Sequence, residues 1–338
     1  MTRRTPLDGP PRPHPLVIGH RGAPGYRPEH TASSYRLAFA MGADAVEPDV
    51  VATRDGVLVI RHENEISGTT DIADHPEFAD RRTTKVIDGE TLTGWFTEDF
   101  DWTELRTLSC RERLPALRPG SAGFDDSEPI LRLSDLLALV GEASAEHGRE
   151  LGVVLEVKHA TYFASIGHDL AALLARDLRE AGWAAGEHPL WIESFEQTVL
   201  GALALRDVVA PRVFLVEAAG APADLVARDG TVAATYADAL TPAGLDGLVG
   251  AVDGISVDKL LLLRPDGAAL VEAARARGLM VFVWTCRPEN AFLDPRFRGP
   301  GGEADPGAFR EEWAAISATG VDGVFVDQPD LGVAFFRP

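Results

Sequence analysis

Cysteine is scarce in this chain, which limits the kinds of fold that it can adopt. Only two cysteines, Cys110 and Cys286, occur among 338 residues, and they match neither a metal-ligand spacing nor a disulfide framework. We therefore expect two ordinary buried thiols. With 45% hydrophobic residues, the chain can bury a large core, and it exceeds the roughly 250 residues typical of one α/β barrel. One domain with an insertion is as plausible as two domains.

Long apolar runs are also missing. No segment approaches the roughly 18 consecutive apolar residues that a membrane-spanning helix needs, so we expect no membrane span. Residues 1–15 contain Arg3 and Arg4 followed by several prolines, but no apolar stretch that could form the core of a signal peptide. The sequence therefore predicts a cytoplasmic protein.

Positive charge is in short supply. Lysine and arginine total 32 against 52 aspartate and glutamate residues, which gives a formal net charge of −20. Such a surface repels a nucleic-acid backbone, so a nucleic-acid partner is not expected. An anionic phosphate substrate meets the same repulsion, and a phosphate site in this chain would need a local cation. A bound metal ion would supply one.

Short β-branched runs alternate with Ala/Leu-rich stretches of helical length, which is typical of parallel strands joined by crossover helices. This pattern predicts an α/β fold, most naturally an eight-stranded barrel. The strand candidates are 16–20, 45–50, 57–61, 152–158, 189–193, 212–216, 254–257 and 280–285, and 323–327 could extend or close the sheet. The helix candidates are 31–41, 134–146, 163–181, 197–205, 265–277 and 309–319.

The first strand candidate ends in Gly19-His20-Arg21-Gly22. His20 thus occupies the C-terminal end of a strand, where barrel enzymes present catalytic groups. A lone histidine there is as consistent with a structural residue as with a catalytic one. Arg21, flanked by glycines that permit close backbone approach, favours an anion-binding site.

The second strand candidate carries two acids, Glu47 and Asp49. The two-residue period of a strand places both on one face, where they repel each other unless a cation lies between them. The turn sequence Thr53-Arg54-Asp55-Gly56 is too short for a helical crossover, so residues 57–62 are expected to return as an antiparallel hairpin. If Thr53 pairs with Gly56, His62 falls opposite Glu47 and joins the acids.

The fourth strand candidate ends in Glu156-Val157-Lys158, where an acid and a base two residues apart face the same way. A surface ion pair is the common reading of that spacing. Because the strand is otherwise apolar, projection into the barrel mouth is favoured here. Glu156 is then a third oxygen ligand for a metal ion, and Lys158 a phosphate contact.

Together these residues resemble the glycerophosphodiester phosphodiesterase family. The resemblance extends over nearly the whole chain in the family's order. It rests on His20-Arg21-Gly22, Arg27-Pro28-Glu29-His30-Thr31, Glu47-x-Asp49, Thr53-x-Asp55-Gly56, His62, Glu156-x-Lys158, Glu193-Ser194-Phe195, Val283-Trp284-Thr285 and the closing run from Gly320 to Asp330.

This resemblance implies an imperfect TIM (β/α)8 barrel that hydrolyses glycerophosphodiesters to sn-glycerol 3-phosphate and an alcohol. It implies a divalent cation, Ca²⁺ or Mg²⁺, on acids matching Glu47, Asp49 and Glu156, and catalytic histidines matching His20 and His62. The sequence does not decide which histidine is the acid and which the base. The glycerol 2-hydroxyl is a candidate internal nucleophile that the metal could orient.

Two positions depart from the family pattern. His30 stands where the family usually has Asn, and Glu63 follows the second histidine where Asp is usual. Glu63 keeps the charge, so little effect is expected there. His30 is expected to alter either the entrance of the site or its hydrogen bonding.

Three further residues are candidates for substrate contacts, and two other functions compete with the family's activity. Arg21 and Lys158 are expected to hold the phosphate. Trp284 is expected either to contact the glycerol or a choline group, by stacking or cation–π attraction, or to pack in the core. Rival functions are a related barrel phospholipase acting on intact lipids, for which no docking helix or basic patch is present, and a catalytically silent binding barrel.

A polar segment, residues 66–128, interrupts the alternation and is predicted to be an insertion subdomain within a single domain of residues 1–338. Asp101-Trp102-Thr103-Glu104 resembles a capping box, and Trp95, Phe96, Phe100 and Trp102 form an aromatic cluster, so order is expected. The segment starts close to His62. It is therefore expected to cover the barrel mouth and limit the alcohol accepted, the alternative being a packing role only.

Overall fold

The computed structural model describes residues 13–337, so the prediction made for residues 1–15 falls mostly outside the described residues. Within 13–337 the strands are β1 (Leu16–His20), β2 (Ala45–Glu47), β3 (Asp49–Ala52), β4 (Leu58–Ile60), β5 (Thr83–Ile87), β6 (Glu90–Gly94), β7 (Gly152–Val157), β8 (Leu190–Ser194), β9 (Arg212–Val216), β10 (Gly254–Asp258), β11 (Met280–Cys286) and β12 (Gly323–Val326).

The helices of the same residues are α1 (Ala32–Ala40), α2 (Trp102–Leu105), α3 (Pro119–Ala122), α4 (Leu133–His147), α5 (Ala160–Ser165), α6 (Leu170–Glu180), α7 (Gln197–Ala204), α8 (Ala223–Asp229), α9 (Tyr236–Ala239), α10 (Pro242–Leu248), α11 (Lys259–Leu262), α12 (Gly267–Arg275), α13 (Phe309–Ser317) and α14 (Pro329–Phe336). None of the described helices is long and apolar enough to cross a bilayer.

Eight parallel staves close into a barrel, which confirms the predicted fold class. The last strand, β12, pairs in parallel with both β11 and β1, so it closes the sheet. β2 and β3 keep one register against β7 and form a single stave, although Pro48, which has no N–H to donate, divides the predicted strand 45–50. The interior of the barrel is therefore a packed layer of side chains rather than a pore.

An apolar layer fills the barrel, and its position along the strands determines which side chains lie at their C-terminal ends. Leu16, Ile18, Ala45, Val154, Trp191, Val213, Met280, Phe282 and Phe325 form a separate core cluster from alternate strand positions. Because side chains along a strand alternate between faces, the next interior position after Ile18 is His20, and the next after Val154 is Glu156. The same period leads from Ala45 to Glu47. The strands thus change from apolar to charged at their C-terminal ends.

The hairpin of β3 and β4 has a register one residue away from the predicted one. Ala52 lies opposite Leu58 in the ladder, and the Thr53 N–H donates to the carbonyl of Val57 at 3.0 Å. Thr53 is therefore opposite Val57, with the Gly56 N–H bonded to its carbonyl inside the turn, and His62 is not opposite Glu47. Gly56 has a φ of +74° and supplies the left-handed residue of a three-residue loop, which lengthens the turn by one residue. His62 follows the end of β4 and nevertheless lines the central cavity.

One predicted helix, 163–181, is two helices. Gly167, with a φ of +97°, interrupts the chain between α5 and α6. The Asp169 side chain then accepts the backbone N–H of Ala172 at 2.9 Å and starts the second helix. The prediction of one continuous helix was wrong because turn chemistry at these residues outweighed apolar periodicity.

Residues 66–128 are ordered, as the aromatic cluster predicted. Trp95, Phe96 and Phe100 are buried, and Trp95 and Phe100 belong to the main core cluster of the chain. The Asp101 N–H donates to Glu104 Oε2 at 2.9 Å, which confirms the capping box at the start of α2. Both cysteines are free and buried.

Candidate active site

A cavity of about 370 Å³ opens at the C-terminal ends of the barrel strands. Its lining includes most residues singled out in the sequence: His20, Arg21, Glu47, His62, Glu156, Lys158 and Trp284. Asp49 is fully buried and lies directly behind this lining. None of the lining residues comes from 66–128, although a cover over the cavity would be expected to contribute some.

Three carboxylates converge in the floor of the cavity. One oxygen from each of Glu47, Asp49 and Glu156 lies within 4.8 Å of the others, and all three residues are buried. Burial and the neighbouring Asp49 raise the pKa of Glu47 well above its usual range. Burial likewise raises the pKa of Glu156 to about 8, against the opposing effect of Lys158. This concentration of negative charge favours a bound cation.

Two basic side chains lie against these acids. Lys158 Nζ is 2.7 Å from Glu156 Oε1 and 3.2 Å from Asp49 Oδ1. Burial disfavours the ionised form of Asp49, but Lys158 and its other cationic neighbours hold the pKa of this carboxyl well below its usual range. The guanidinium of Arg21 lies beside the same acids, with Nε 3.5 Å from Asp49 Oδ2, and the backbone N–H of Arg21 donates to Glu47 Oε2 at 2.8 Å. Arg21 and Lys158 therefore bring two fixed positive charges to the acidic floor.

His20 is held by a carboxylate from the last strand. Its Nδ1 lies 2.7 Å from Asp327 Oδ1. Although burial opposes ionisation of Asp327, Arg287 and Arg118 hold its pKa well below the usual range. An ionised acceptor requires the proton on Nδ1, which leaves Nε2 of His20 unprotonated. Burial and the neighbouring Arg21 lower the pKa of His20 to about 4.

His62 is held in the same manner by the residue that follows it. Its Nδ1 is hydrogen-bonded to Glu63, whose pKa is lowered, against the effect of burial, by His62 and Arg113. Burial and the neighbouring Arg21 lower the pKa of His62 to about 3. Each histidine is thus a neutral ring with Nδ1 directed to an ionised carboxylate. Glu63 keeps the expected charge and provides this contact.

His30, one of the two departures from the family pattern, takes part in hydrogen bonding behind the site and does not lie at the entrance of the cavity. His30 is fully buried. Its Nε2 lies 2.9 Å from Asp49 Oδ2, and its Nδ1 lies 2.7 Å from the Tyr35 hydroxyl. The residue therefore orients one carboxylate of the acidic floor from behind.

Trp284 faces the cavity and is not part of the fully buried core. Its Nε1 donates to the carbonyl of Ser256 at 3.2 Å, and its ring meets that of Phe195 edge to face at 5.8 Å. These contacts fix the indole at the wall of the cavity.

Several residues at this site carried no assignment from the sequence. Glu193 is buried in the cavity wall, and its Oε2 has no hydrogen-bond donor among residues 13–337. Strand pairing places it beside Glu156, a relation that two-residue periodicity in β8 would have indicated. Arg287 also lines the cavity and donates to Asp327 at 2.6 Å. Arg113 and Arg118 were missed as well, because they belong to a segment without periodic structure.

Residues 20–331 match the glycerophosphoryl diester phosphodiesterase family. The chain is 30% identical over 334 residues to glycerophosphodiester phosphodiesterase GDPD6 of Arabidopsis thaliana, covering 93% of this chain and 83% of that protein. It is 24% identical over 351 residues to the glycerophosphodiester phosphodiesterase of Treponema pallidum, covering 95% and 91% of the two chains.

Solved structures show the same fold at lower identity. A putative glycerophosphoryl diester phosphodiesterase from Silicibacter pomeroyi superposes with a TM-score of 0.68 at 22% identity, covering 96% of this chain and 94% of that one. An Oleispira antarctica phosphodiesterase, solved in complex with its product sn-glycerol-3-phosphate, gives a TM-score of 0.65 at 20% identity, covering 96% and 98%.

Proposed function

Because the chain belongs to the glycerophosphoryl diester phosphodiesterase family, we propose that its cavity hydrolyses glycerophosphodiesters to sn-glycerol 3-phosphate and an alcohol. The observation that carries the proposal is the meeting of three carboxylates, two carboxylate-bound histidines and two basic side chains in one cavity. The product named for the Oleispira antarctica structure agrees with this substrate class.

The acidic floor fits a divalent cation. Glu47, Asp49 and Glu156 offer only carboxylate oxygens, the donors that Ca²⁺ and Mg²⁺ prefer. Their burial and mutual repulsion, expressed in the raised pKa of Glu47 and Glu156, provide a reason for binding positive charge. The chemistry that such a cation supplies is Lewis-acid stabilisation of charge on the phosphoryl oxygens.

The basic residues position the phosphate. Arg21 and Lys158 lie on either side of the acids and both line the cavity. Each can donate to a non-bridging phosphate oxygen, which lowers the cost of bringing an anion into a chain of charge −20. Trp284 presents an apolar and π-rich surface to the rest of the substrate.

The two histidines move the protons of the reaction. Hydrolysis requires a base that takes a proton from the attacking oxygen and an acid that gives one to the leaving alkoxide. The attacking oxygen belongs either to water or to the glycerol 2-hydroxyl, and in the second case water then opens the cyclic phosphate with the same two proton transfers. Both rings are neutral at pH 7 because their pKa values are about 4 and about 3, so either can accept a proton through Nε2. A phosphodiester anion placed between them raises the pKa of the nearer ring and favours its acid form.

The first prediction concerns the cation. Purified protein is expected to release sn-glycerol 3-phosphate from glycerophosphocholine with Ca²⁺ or Mg²⁺, to stop in excess EDTA, and to recover when either ion is restored. Glu47→Gln is expected to raise the metal concentration needed for half-maximal activity, because one charged oxygen ligand is lost. Full activity in EDTA would refute metal dependence, and faster cleavage of phosphatidylcholine would support the lipid-directed alternative.

The second prediction concerns the histidines. His20→Gln and His62→Gln are each expected to lower kcat by roughly 10²-fold or more, the usual contribution of a positioned acid or base. His188→Gln is the matched control, since His188 is exposed, stacks on Trp183 and lies before β8, at the opposite end of the strand from the cavity. Near-normal turnover in either variant would remove that histidine from the reaction.

A further inference from the structure

One loop of the insertion reaches the carboxylates behind both histidines. We call residues 106–118, between α2 and α3, the arginine loop. Its Arg113 donates through Nη1 and Nη2 to the two oxygens of Glu63, at 2.9 and 2.6 Å. Glu63 in turn binds Nδ1 of His62. The arginine is therefore two contacts away from the imidazole that lines the cavity.

The second arginine of the loop makes the corresponding contact to the other histidine. Arg118 is 6% exposed, and its Nη2 donates to Asp327 Oδ2 at 2.6 Å. The other oxygen of Asp327 accepts from His20 Nδ1 at 2.7 Å. Arg118 Nε is fixed by Glu289 at 2.9 Å. Both histidines are thus oriented by a carboxylate that a loop arginine binds on its far side, and Asp327 Oδ2 also accepts from Arg287, outside the loop, at 2.6 Å.

We propose that the arginine loop positions both catalytic histidines, with Arg113 acting through Glu63 and Arg118 through Asp327. This inference rests on the proposed roles of His20 and His62. It assigns to the insertion a role behind the reacting groups, which accounts for the absence of residues 66–128 from the cavity lining.

The physical argument concerns carboxylate orientation. A carboxylate fixed only through one hydrogen bond to a histidine can rotate, and the imidazole then rotates with it. The planar guanidinium of Arg113, with two parallel donors to Glu63, holds both the position and the plane of that carboxylate. Arg118 makes one bond to Asp327 and one to Glu289, so its rigid plane fixes Asp327 Oδ2 relative to Glu289. Such outer contacts orient a functional histidine and fix its tautomer. Lysine keeps the charge but offers a single flexible ammonium, so it cannot replace the fork.

Arg113 also couples the two sides of the site. It donates to Glu29 through Nε and Nη2, at 2.9 and 2.6 Å. Glu29 accepts from Nη1 of Arg21 at 3.0 Å. The guanidinium that orients His62 therefore shares a buried carboxylate with the proposed phosphate contact. Movement of the loop would disturb a histidine and the phosphate site together.

The test compares Arg113→Lys and Arg118→Lys with a control from the same loop, Arg111→Lys. Arg111 pairs with Asp74 and Asp126 inside the insertion, at 2.6 and 2.7 Å, and makes no contact with the site. We expect each of the first two variants to keep the melting temperature near that of the control and to lower kcat on glycerophosphocholine about tenfold or more. KM should change less than threefold in Arg118→Lys and more than that in Arg113→Lys, because only Arg113 shares Glu29 with Arg21. Arg111→Lys should retain wild-type kcat.

A second substrate separates positioning from a general loss of structure. The p-nitrophenyl ester of glycerol phosphate has a leaving group that departs without protonation. The variant that misplaces the acid histidine should recover most of its kcat on this ester, whereas the variant that misplaces the base should lose as much as on glycerophosphocholine. We therefore expect one variant to be impaired on both substrates and the other to be impaired on glycerophosphocholine alone. The histidine behind the second variant is the acid.

Three outcomes would overturn the proposal: wild-type kcat in both Lys variants, a defect confined to KM, or equal losses on both substrates in both variants. If a Lys variant fails to fold, it is replaced by the Arg→Gln variant at the same position, whose folding is checked by its melting temperature. If both variants at one position fail to fold, that arginine has a role in stability alone, and the proposal is wrong for it. An inactive wild-type protein would instead count against the proposed function.

Discussion

At the scale of single residues, His20 links the site to the stability of the fold. The pKa of its imidazole falls from 6.5 to about 4 because burial and Arg21 disfavour the charged form. Between these two values the unfolded chain binds a proton that the folded chain does not, so acidification favours unfolding. A shift of this size corresponds to roughly 3 kcal/mol.

The resulting prediction is a pH-dependent difference between wild type and His20→Gln. With metal removed, the free energy of unfolding of the wild type should fall relative to the variant as the pH is lowered from 6.5 to 4, because glutamine does not titrate. Glu156, whose pKa is raised to about 8, has the opposite sign, but it is present in both proteins and cancels in the difference. Urea denaturation at several pH values measures this quantity. A constant difference across the range would show that His20 is not buried in its neutral form.

Residue spacing explains why part of the site is predictable from the sequence. Glu47 and Asp49, like Glu156 and Lys158, lie two residues apart on barrel strands, so strand geometry brings them to the interior. Arg113 and Arg118 follow no such period. Their positions depend on the path of an irregular loop, and nothing local in the sequence fixes where such a loop meets the barrel.

At the scale of structural elements, the β3–β4 hairpin delivers His62 through an unusual backbone conformation. Gly56 has a φ of +74°, and a Cβ there would lie 3.5 Å from Leu173, an ordinary contact. The cost of a side chain at this position is therefore one of backbone conformation rather than of space.

The conformational cost at Gly56 leads to a further prediction. Gly56→Ala is expected to lower the free energy of unfolding by about 1 kcal/mol, since alanine adopts the left-handed region poorly. Gly68→Ala is the control, because a Cβ at Gly68 would have no neighbour within 4 Å and the φ of this residue is not in the left-handed range. Urea denaturation of both variants gives the comparison. Equal stability of Gly56→Ala and wild type would mean that the loop tolerates another turn type.

Helices and strands were predicted correctly where the apolar periodicity is strong. The predictions failed where turn residues determine the structure. The barrel strands and the helix of Leu133–His147 follow from apolar patterning. The division at Gly167 and the one-residue shift at Gly56 come from left-handed residues that patterning does not register. The short helices between β9 and β10 lack enough turns to show a period.

At the scale of the whole molecule, the barrel places basic side chains beside the buried acids of the cavity. The chain carries a net charge of −20, yet Arg21 and Lys158 converge on the floor of the cavity, and Arg113 and Arg118 lie directly behind its histidines. Buried charges are tolerated only when they are paired. The site accordingly contains two networks of ion pairs, one around Asp49 and Glu29 and one around Asp327, which composition alone could not reveal.

Closure of the barrel has a consequence for biosynthesis. His20 and Asp327 are separated by 307 positions in the chain, and β1 pairs with β12. While the ribosome is still making the chain, the first strand has no partner on that edge, and His20 has no carboxylate. With His20 in its proposed role, activity on a nascent chain is expected only after β12 has left the exit tunnel. His20, the first of the proposed catalytic residues to be translated, is thus among the last to receive its partner.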